Sequence, residues 1–387
     1  MWDRLEQREI ARRGLRPGPG DRPRPDLPVG SDLIPQIKHI VILMMENHSY
    51  DNYLGMLTDR GEGLPRGADG TPTAVNTLPD GRRFPAHHLT STRQLKGNPT
   101  QSWRASNIAY DNGTCNGFSA SVGVCVPGAD PGVPMGCWTD EDLPFYYGLA
   151  RTFPVALRRL AQIWRWLPQV VKGVQANKQF TAALYPLGLA RAVTHLRTTQ
   201  RFVADAAAGK LPAVSLVDPG FESFSEENPQ DITRGESFAA AVINAVMHGP
   251  AWESTLLLWI YDEHGGYYDH VPPPPAVAPD DIGPLWPATA REGFARYGFR
   301  VPAVVVSAWA KPVYVSSMVY DHTSILATVE RKWNLPPLTR RDEAATSPLG
   351  ALDLEASPKF LTPPTLPGPQ AEPFSPSSRS RRSARRS

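Results

Sequence analysis

The sequence predicts an α/β protein with a central, mostly parallel β-sheet flanked by helices on both faces, and three observations predict it. Apolar, β-branched runs of strand length recur at IKHIVILMM, LPAVSLVDPG, STLLLWIYDE and RVPAVVVSAWA; such continuous runs suit strands covered on both faces. Helical patterns lie between them, RTTQRFVADAAAG and GESFAAAVINAVMHGPAW, and strand alternating with helix is the α/β order. Polar residues gather just after the strands, where an open α/β sheet builds its site because loops from neighbouring strands converge there.

Taken in chain order, residues 1–36 hold RPGPGDRPRPDLP and predict a disordered Pro/Arg-rich segment. The first strand, IKHIVILMM, ends in Glu46, Asn47 and His48. The strand SLVDPG contributes Asp218. LLLWIY ends in Asp262, Glu263 and His264, and the following GGYYDH adds Asp269 and His270. After RVPAVVVSAWA come Asp321 and His322, then a helix over DHTSILATVERKWNL with Thr323 and Ser324 as expected N-caps. Residues 37–350 carry no visible boundary and predict one domain; 351–387 predict a disordered Pro/Ser/Arg-rich tail ending in SSRSRRSARRS.

Composition sets limits on function. A net charge of +2 over 387 residues gives no reason to expect a nucleic-acid partner. No apolar run approaches the roughly 20 residues that a bilayer-crossing helix needs. Arg12 and Arg13 are followed by GLRPGPGDRPRPD, where an export signal would place its hydrophobic stretch, so the chain as written predicts no signal peptide and cytoplasmic residence by default. Cys115, Cys125 and Cys137 match no paired metal-binding spacing and read as structural or free thiols.

The strand-end clusters carry the chemistry. Oxygen ligands from separate strands suit a divalent cation, calcium, magnesium or manganese, and added histidine moves the choice toward zinc or iron. The histidines His264, His270 and His322, with Asp321, are the candidate catalytic groups, placed to complete a metal shell or bind a phosphate oxygen. A plain alternative stands beside each: a Glu-Asn pair after a strand is often a helix cap, as is Asp321-His322 before Thr323. YDEHGGYYDH resists that reading, because carboxylates and histidines alternating around two glycines make a poor plain turn.

Together these segments resemble the phosphoesterase family of bacterial phospholipases C, plant non-specific phospholipases C and related acid phosphatases, whose core is alkaline phosphatase-like. The resemblance runs from about Lys38 to about Asp342, on ENHSYDNYLG, LPAVSLVDPGF, YDEHGGYYDHVPPP, GFRVPAVVVSAWA and DHTSIL. It implies that Glu46, Asn47, Asp262 and Glu263 are metal ligands, with His48 a neighbour where the family commonly has Arg. It also implies attack on phosphorus by a Ser or Thr hydroxyl and hydrolysis of the resulting phospho-enzyme. The implied partner is a phospholipid or other phosphate ester met by a monomer in peripheral contact with a membrane; such proteins are often secreted.

The chain departs from that pattern where the nucleophile belongs. DLPFYYGLARTFPVA matches, but no stretch resembling GPTxPNR follows, and Thr152 and Thr181 are the hydroxyls near the gap. Gln101 and Asn228 occupy positions where the family places histidines, and are the candidate substrate-binding residues. The expectation is a metal-dependent phosphoesterase of the phospholipase C type. A phosphomonoesterase and a degenerate metal- and phosphate-binding relative are the alternatives.

Overall fold

A computed structural model describes residues 22–159, 195, 197–280 and 294–374. Its main sheet is built from β1 (His39–Met45), β6 (Val155–Arg159), β7 (Val214–Val217), β8 (Thr255–Tyr261), β9 (Ala303–Ser307) and β10 (Val315–Tyr320) in the order β10-β6-β9-β8-β1-β7. β1 is parallel to β7 and β8, and β10 to β6, while β9 runs antiparallel to β8 and β6. The sheet is therefore mixed but mostly parallel, and the chain is α/β.

The apolar runs explain the centre of the sheet. All seven residues of β8 and all five of β9 are buried, as are Ile40, Val41, Leu43 and Met45 of β1. Burial of that kind, at about 25 cal/mol per Å² of apolar surface, is the main drive for the fold. The helices α1 (Tyr50–Leu54), α4 (Pro144–Thr152), α5 (Thr199–Ala207), α6 (Ile232–Met247) and α7 (Thr323–Lys332) lie between and beside these strands, and α8 (Arg340–Ala344) follows. Ser49 caps α1 by accepting the Asn52 N–H at 3.1 Å, and Asp231 caps α6 through the Thr233 N–H at 3.1 Å.

Between β1 and α4 a smaller layer covers the carboxyl side of the sheet. It holds β2 (Val75–Thr77) paired with β3 (Arg83–Pro85), β4 (His87–His88) paired with β5 (Gly136–Cys137), and helices α2 (Trp103–Tyr110) and α3 (Phe118–Cys125). Its own apolar cluster includes Phe118, Met135 and Phe299. Cys115, Cys125 and Cys137 are free, and burial pushes the thiols of Cys115 and Cys137 up to about 12, where they stay protonated.

Three expectations are corrected. The helix after β10 is not capped by Thr323 or Ser324; the carboxylate of Asp321 accepts the Ser324 N–H at 3.1 Å and the Thr323 hydroxyl at 2.6 Å, and Thr323 is the first residue of α7. Residues 24–36 are not loose, since Asn334 donates to the carbonyls of Arg24, Leu27 and Pro28 and Lys332 to Asp32 at 2.6 Å. Residues 352–374 form a strap: Phe360 packs on Phe153 with rings 4.9 Å apart, and Phe374 on Phe224 and Phe238 at 5.1 and 5.2 Å. Apolar anchors spaced along a Pro-rich segment hold it down where composition alone reads as a free end. Residues 1–21 and 375–387 lie outside the described residues.

Candidate active site

Parallel pairing of β1 with β8 puts Met45 opposite Tyr261, so the two strands deliver Glu46 and Asp262 at one level. Backbone and side chain then lock the ends together. The Asp262 N–H donates to the Met45 carbonyl at 3.0 Å, and the Asn47 N–H donates to Asp262 Oδ1 at 2.9 Å. The same Oδ1 takes the Glu263 N–H at 2.7 Å, so two backbone donors fix that carboxylate. Asn47 has φ +71°, a left-handed conformation that an Asn tolerates better than most residues, and its Nδ2 lies 3.5 Å from Glu46 Oε2.

The double glycine is dictated by how closely this loop approaches its neighbours. Gly265 has φ +66°, and a Cβ there would stand 1.8 Å from the Asn47 carbonyl oxygen; at Gly266, φ +86°, one would stand 2.6 Å from the Thr100 carbonyl oxygen. Only glycine combines that backbone with that contact. The loop thus seats the first motif on one side and the segment bearing Gln101 on the other. Asn228 reaches the same segment, donating Nδ2 to the Pro99 carbonyl at 3.0 Å.

The histidines divide by environment. His264 is buried against Phe299, rings 4.9 Å apart, and Phe118; burial pushes it down to about 3, so it carries no acidic proton near neutrality, and its Nδ1 lies 3.5 Å from Glu263 Oε2. His322 donates Nε2–H to the Tyr261 carbonyl at 2.9 Å, which brings the end of β10 to the end of β8. His270 binds Asp51 Oδ2 through Nδ1 at 2.6 Å and through its backbone N–H at 2.8 Å. Burial works against its charged form, but the Asp51 hydrogen bond and charge outweigh it, and its pKa is raised. His48 is buried, stacked on Tyr53 and Tyr267 and pushed down to about 3 by burial; its Nε2 donates to the Glu226 carbonyl at 3.0 Å, and its Nδ1 lies 2.7 Å from Asn52 Oδ1.

Among the described residues, Asp51, Asp269 and His270 form a group whose ligand atoms lie within 4.8 Å of one another. That group already holds a cation. Arg300, fully buried, sets Nε 2.9 and 3.0 Å from the two Asp269 oxygens and Nη2 3.0 Å from Asp51 Oδ1. A divalent ion there would have to displace or sit beside the guanidinium, so the cluster reads as a charge-balanced staple. Among the described residues, Glu46, Asp262 and Glu263 are not brought to that spacing; with Asn47 they place three carboxylates and an amide, oxygen donors of the kind a divalent ion takes, at two joined strand ends.

Thr152 does not reach the site. It precedes β6, at the end of the sheet opposite Asp262, and its hydroxyl donates to the Gly148 carbonyl at 2.8 Å. Thr181 lies outside the described residues. Asp321, buried and with its pKa raised by that burial, is spent on the start of α7. The pairing of Arg300 with Asp51 is not visible in sequence, although both stand in motifs that carry the family resemblance, GFRVPAVVVSAWA and ENHSYDNYLG, because it spans 249 positions.

A mixed, mostly parallel sheet with acidic, amide and imidazole groups gathered past the ends of β1, β8 and β10 is an α/β arrangement of the kind that builds its site at strand ends. The model of the Phosphoesterase family matches residues 37–163 and 163–336, and the chain belongs to that family. Non-specific phospholipase C6 of Arabidopsis thaliana is 36% identical over 183 residues, which is 43% of this chain and 35% of the relative. Non-specific phospholipase C1 of the same plant is 27% identical over 401 residues, covering 86% of this chain and 74% of the relative. Phospholipase C A of Mycobacterium tuberculosis (strain ATCC 25618 / H37Rv) is 24% identical over 419 residues, 86% of this chain and 79% of the relative. Both long alignments span more positions than this chain has residues, so these relatives carry segments that it lacks.

Proposed function

We propose that this protein is a metal-dependent phosphoesterase of the phospholipase C type, binding a divalent cation through Glu46, Asn47, Asp262 and Glu263. One observation carries the reading: the two acidic segments, 215 positions apart in sequence, are joined by the Asn47 N–H on Asp262 Oδ1 at 2.9 Å. The relatives are phospholipases C, and their names supply the substrate class, a phospholipid.

A cation held there supplies Lewis-acid polarisation of a phosphoryl oxygen and stabilises the charge that grows on it. The chain's own groups orient and protonate. Asp262 is fixed by two backbone donors and does not need to reorganise. His322, with Nε2–H committed to the Tyr261 carbonyl, presents Nδ1 as its other hydrogen-bonding atom. His270 keeps a proton on Nδ1 toward Asp51, leaving Nε2 to meet a phosphate oxygen or a leaving group.

A degenerate relative that binds metal and phosphate without turnover is the second reading. It is favoured by the break in the family match at residue 163, just where a nucleophile segment would begin. Assays with p-nitrophenylphosphorylcholine and p-nitrophenyl phosphate, each with and without Mn²⁺ or Ca²⁺, separate the readings. Metal-dependent turnover of the diester, lost by at least about 10²-fold in Asp262→Ala, is the expected result. Monoester turnover alone makes the protein a phosphomonoesterase. Metal uptake with no turnover of either identifies the degenerate relative.

A further inference from the structure

We propose that Glu226 is a positioning residue for this site, tying the two ligand-bearing strand ends to one buried carboxylate; the inference rests on the metal-site reading above. Glu226 is fully buried, and its carboxylate receives three tyrosine hydroxyls: Tyr146 on Oε1 at 2.8 Å, Tyr53 on Oε2 at 3.1 Å, and Tyr261 also on Oε2. Tyr261 is the last residue of β8, directly before Asp262. Tyr53 belongs to α1, the helix that continues the Glu46–Asn47 segment. One carboxylate oxygen therefore receives a hydroxyl from each arm of the metal site.

The backbone repeats the arrangement. The Glu226 carbonyl accepts from His48 Nε2 at 3.0 Å and from Gln94 Nε2, and the preceding Ser225 carbonyl takes the Glu46 N–H at 3.0 Å. The pocket is built for this side chain. Gly235 of α6 faces it, and a Cβ there would stand 2.1 Å from Glu226 Cγ. Glu226 itself sits at φ +73°, a costly conformation for a residue with a side chain, held by these contacts. An acid used only for packing would be replaced at little cost by an apolar side chain of similar volume. Three convergent hydroxyls, a cleared pocket and a strained backbone instead serve to set the angle at which two strand ends meet. Outer-shell partners of this kind typically change metal affinity by about 10- to 100-fold.

The test compares Tyr261→Phe, Tyr53→Phe, Tyr146→Phe and Glu226→Gln with wild type in the full chain, reading Mn²⁺ affinity by electron paramagnetic resonance and stability by thermal melting. Each tyrosine variant keeps its ring, so the set stays informative even where Glu226→Gln does not fold. Tyr261→Phe and Tyr53→Phe should weaken Mn²⁺ binding about 10-fold, while Tyr146→Phe, on α4 and outside both ligand segments, should change it less than about 2-fold at a similar loss of melting temperature. Unchanged Mn²⁺ affinity in Tyr261→Phe and Tyr53→Phe overturns the proposal, as does an equal loss in Tyr146→Phe, which would mark a general structural effect. If wild type holds none of Mn²⁺, Ca²⁺, Mg²⁺ and Zn²⁺ by calorimetry, the metal-site reading fails first and takes the proposal with it.

Discussion

Arg300 shows how one residue holds the site's outer wall. Its guanidinium, with no exposure to solvent, spans Asp269 and Asp51, and Asp51 in turn holds His270. Removing it strands two buried carboxylates, and breaking such a pair typically costs about 3–5 kcal/mol. Arg300→Ala should lose about that much in urea unfolding; a loss under about 1 kcal/mol would show that the acids find other partners. Arg300→Lys should recover only part, because a point charge cannot reproduce the planar fork. His270 adds a pH dependence of known sign. Its pKa is raised in the fold, so its contribution is full below the ordinary imidazole value of about 6.5 and is lost as pH rises through the higher folded value. Wild type should therefore exceed His270→Gln in stability by more at pH 6 than at pH 9. A difference that grows with pH would reverse the assignment. Neither residue's role was legible from its neighbours in sequence: the strand-end acids could be read from position, whereas their cationic partners come from distant loops.

At the scale of elements, the buried strands were legible and the polar-edged ones were not. β1, β8 and β9 follow from apolar runs and the edge strand β7 from a run interrupted by Ser215, with Val214 and Leu216 exposed, but β6 ends in two arginines and β10 carries Ser316 and Ser317, so neither announces itself by hydrophobicity. The antiparallel turn of β9 was equally invisible, since a fully buried strand reads the same in either direction. The loop after β8 stood out in sequence for its carboxylates, histidines and paired glycines, whereas the reason for its glycines is geometric and long-range. Gly265→Ala should therefore cost more than backbone strain: the new methyl meets the Asn47 carbonyl and must push apart the two strand ends. Gly70, at φ +82° with nothing within 4 Å of the place a methyl would take, is the matched control. Gly70→Ala should lose about 1 kcal/mol, and Gly265→Ala about 2–3 kcal/mol together with Mn²⁺ binding. Equal losses in the two, with Mn²⁺ binding retained, would mean that the close approach at Gly265 has no bearing on the site.

Across the whole molecule, the strap from Leu352 to Phe374 connects the far side of the sheet to the loop that carries Glu226. It begins beside β9, with the Asp353 N–H on the Trp309 carbonyl at 2.8 Å, and takes the Trp252 indole N–H on the Phe360 carbonyl at 2.7 Å. It then crosses α4 where Gly148 leaves room, a Cβ there falling 2.4 Å from Pro367 Cδ. It ends with the Ser237 hydroxyl on the Glu372 carbonyl at 2.7 Å and with Phe374 edge-on against both Phe224 and Phe238. Phe224 stands two positions before Glu226, so the strap's last anchor bears on the site's support. Composition concealed this, because six prolines with scattered polar residues read as a free end while a few apolar side chains do the anchoring. Phe360, Leu366 and Phe374 are each partly buried against the main core. At about 1 kcal/mol for each half-buried apolar side chain, ending the chain after Ala351 should cost about 3 kcal/mol in urea unfolding. Phe374→Ala alone should lose about 1 kcal/mol and, by loosening Phe224, weaken Mn²⁺ binding more than Phe360→Ala does. If ending the chain after Ala351 leaves both the unfolding midpoint and Mn²⁺ affinity unchanged, the strap is a passenger and its contacts carry no load for the fold or the site.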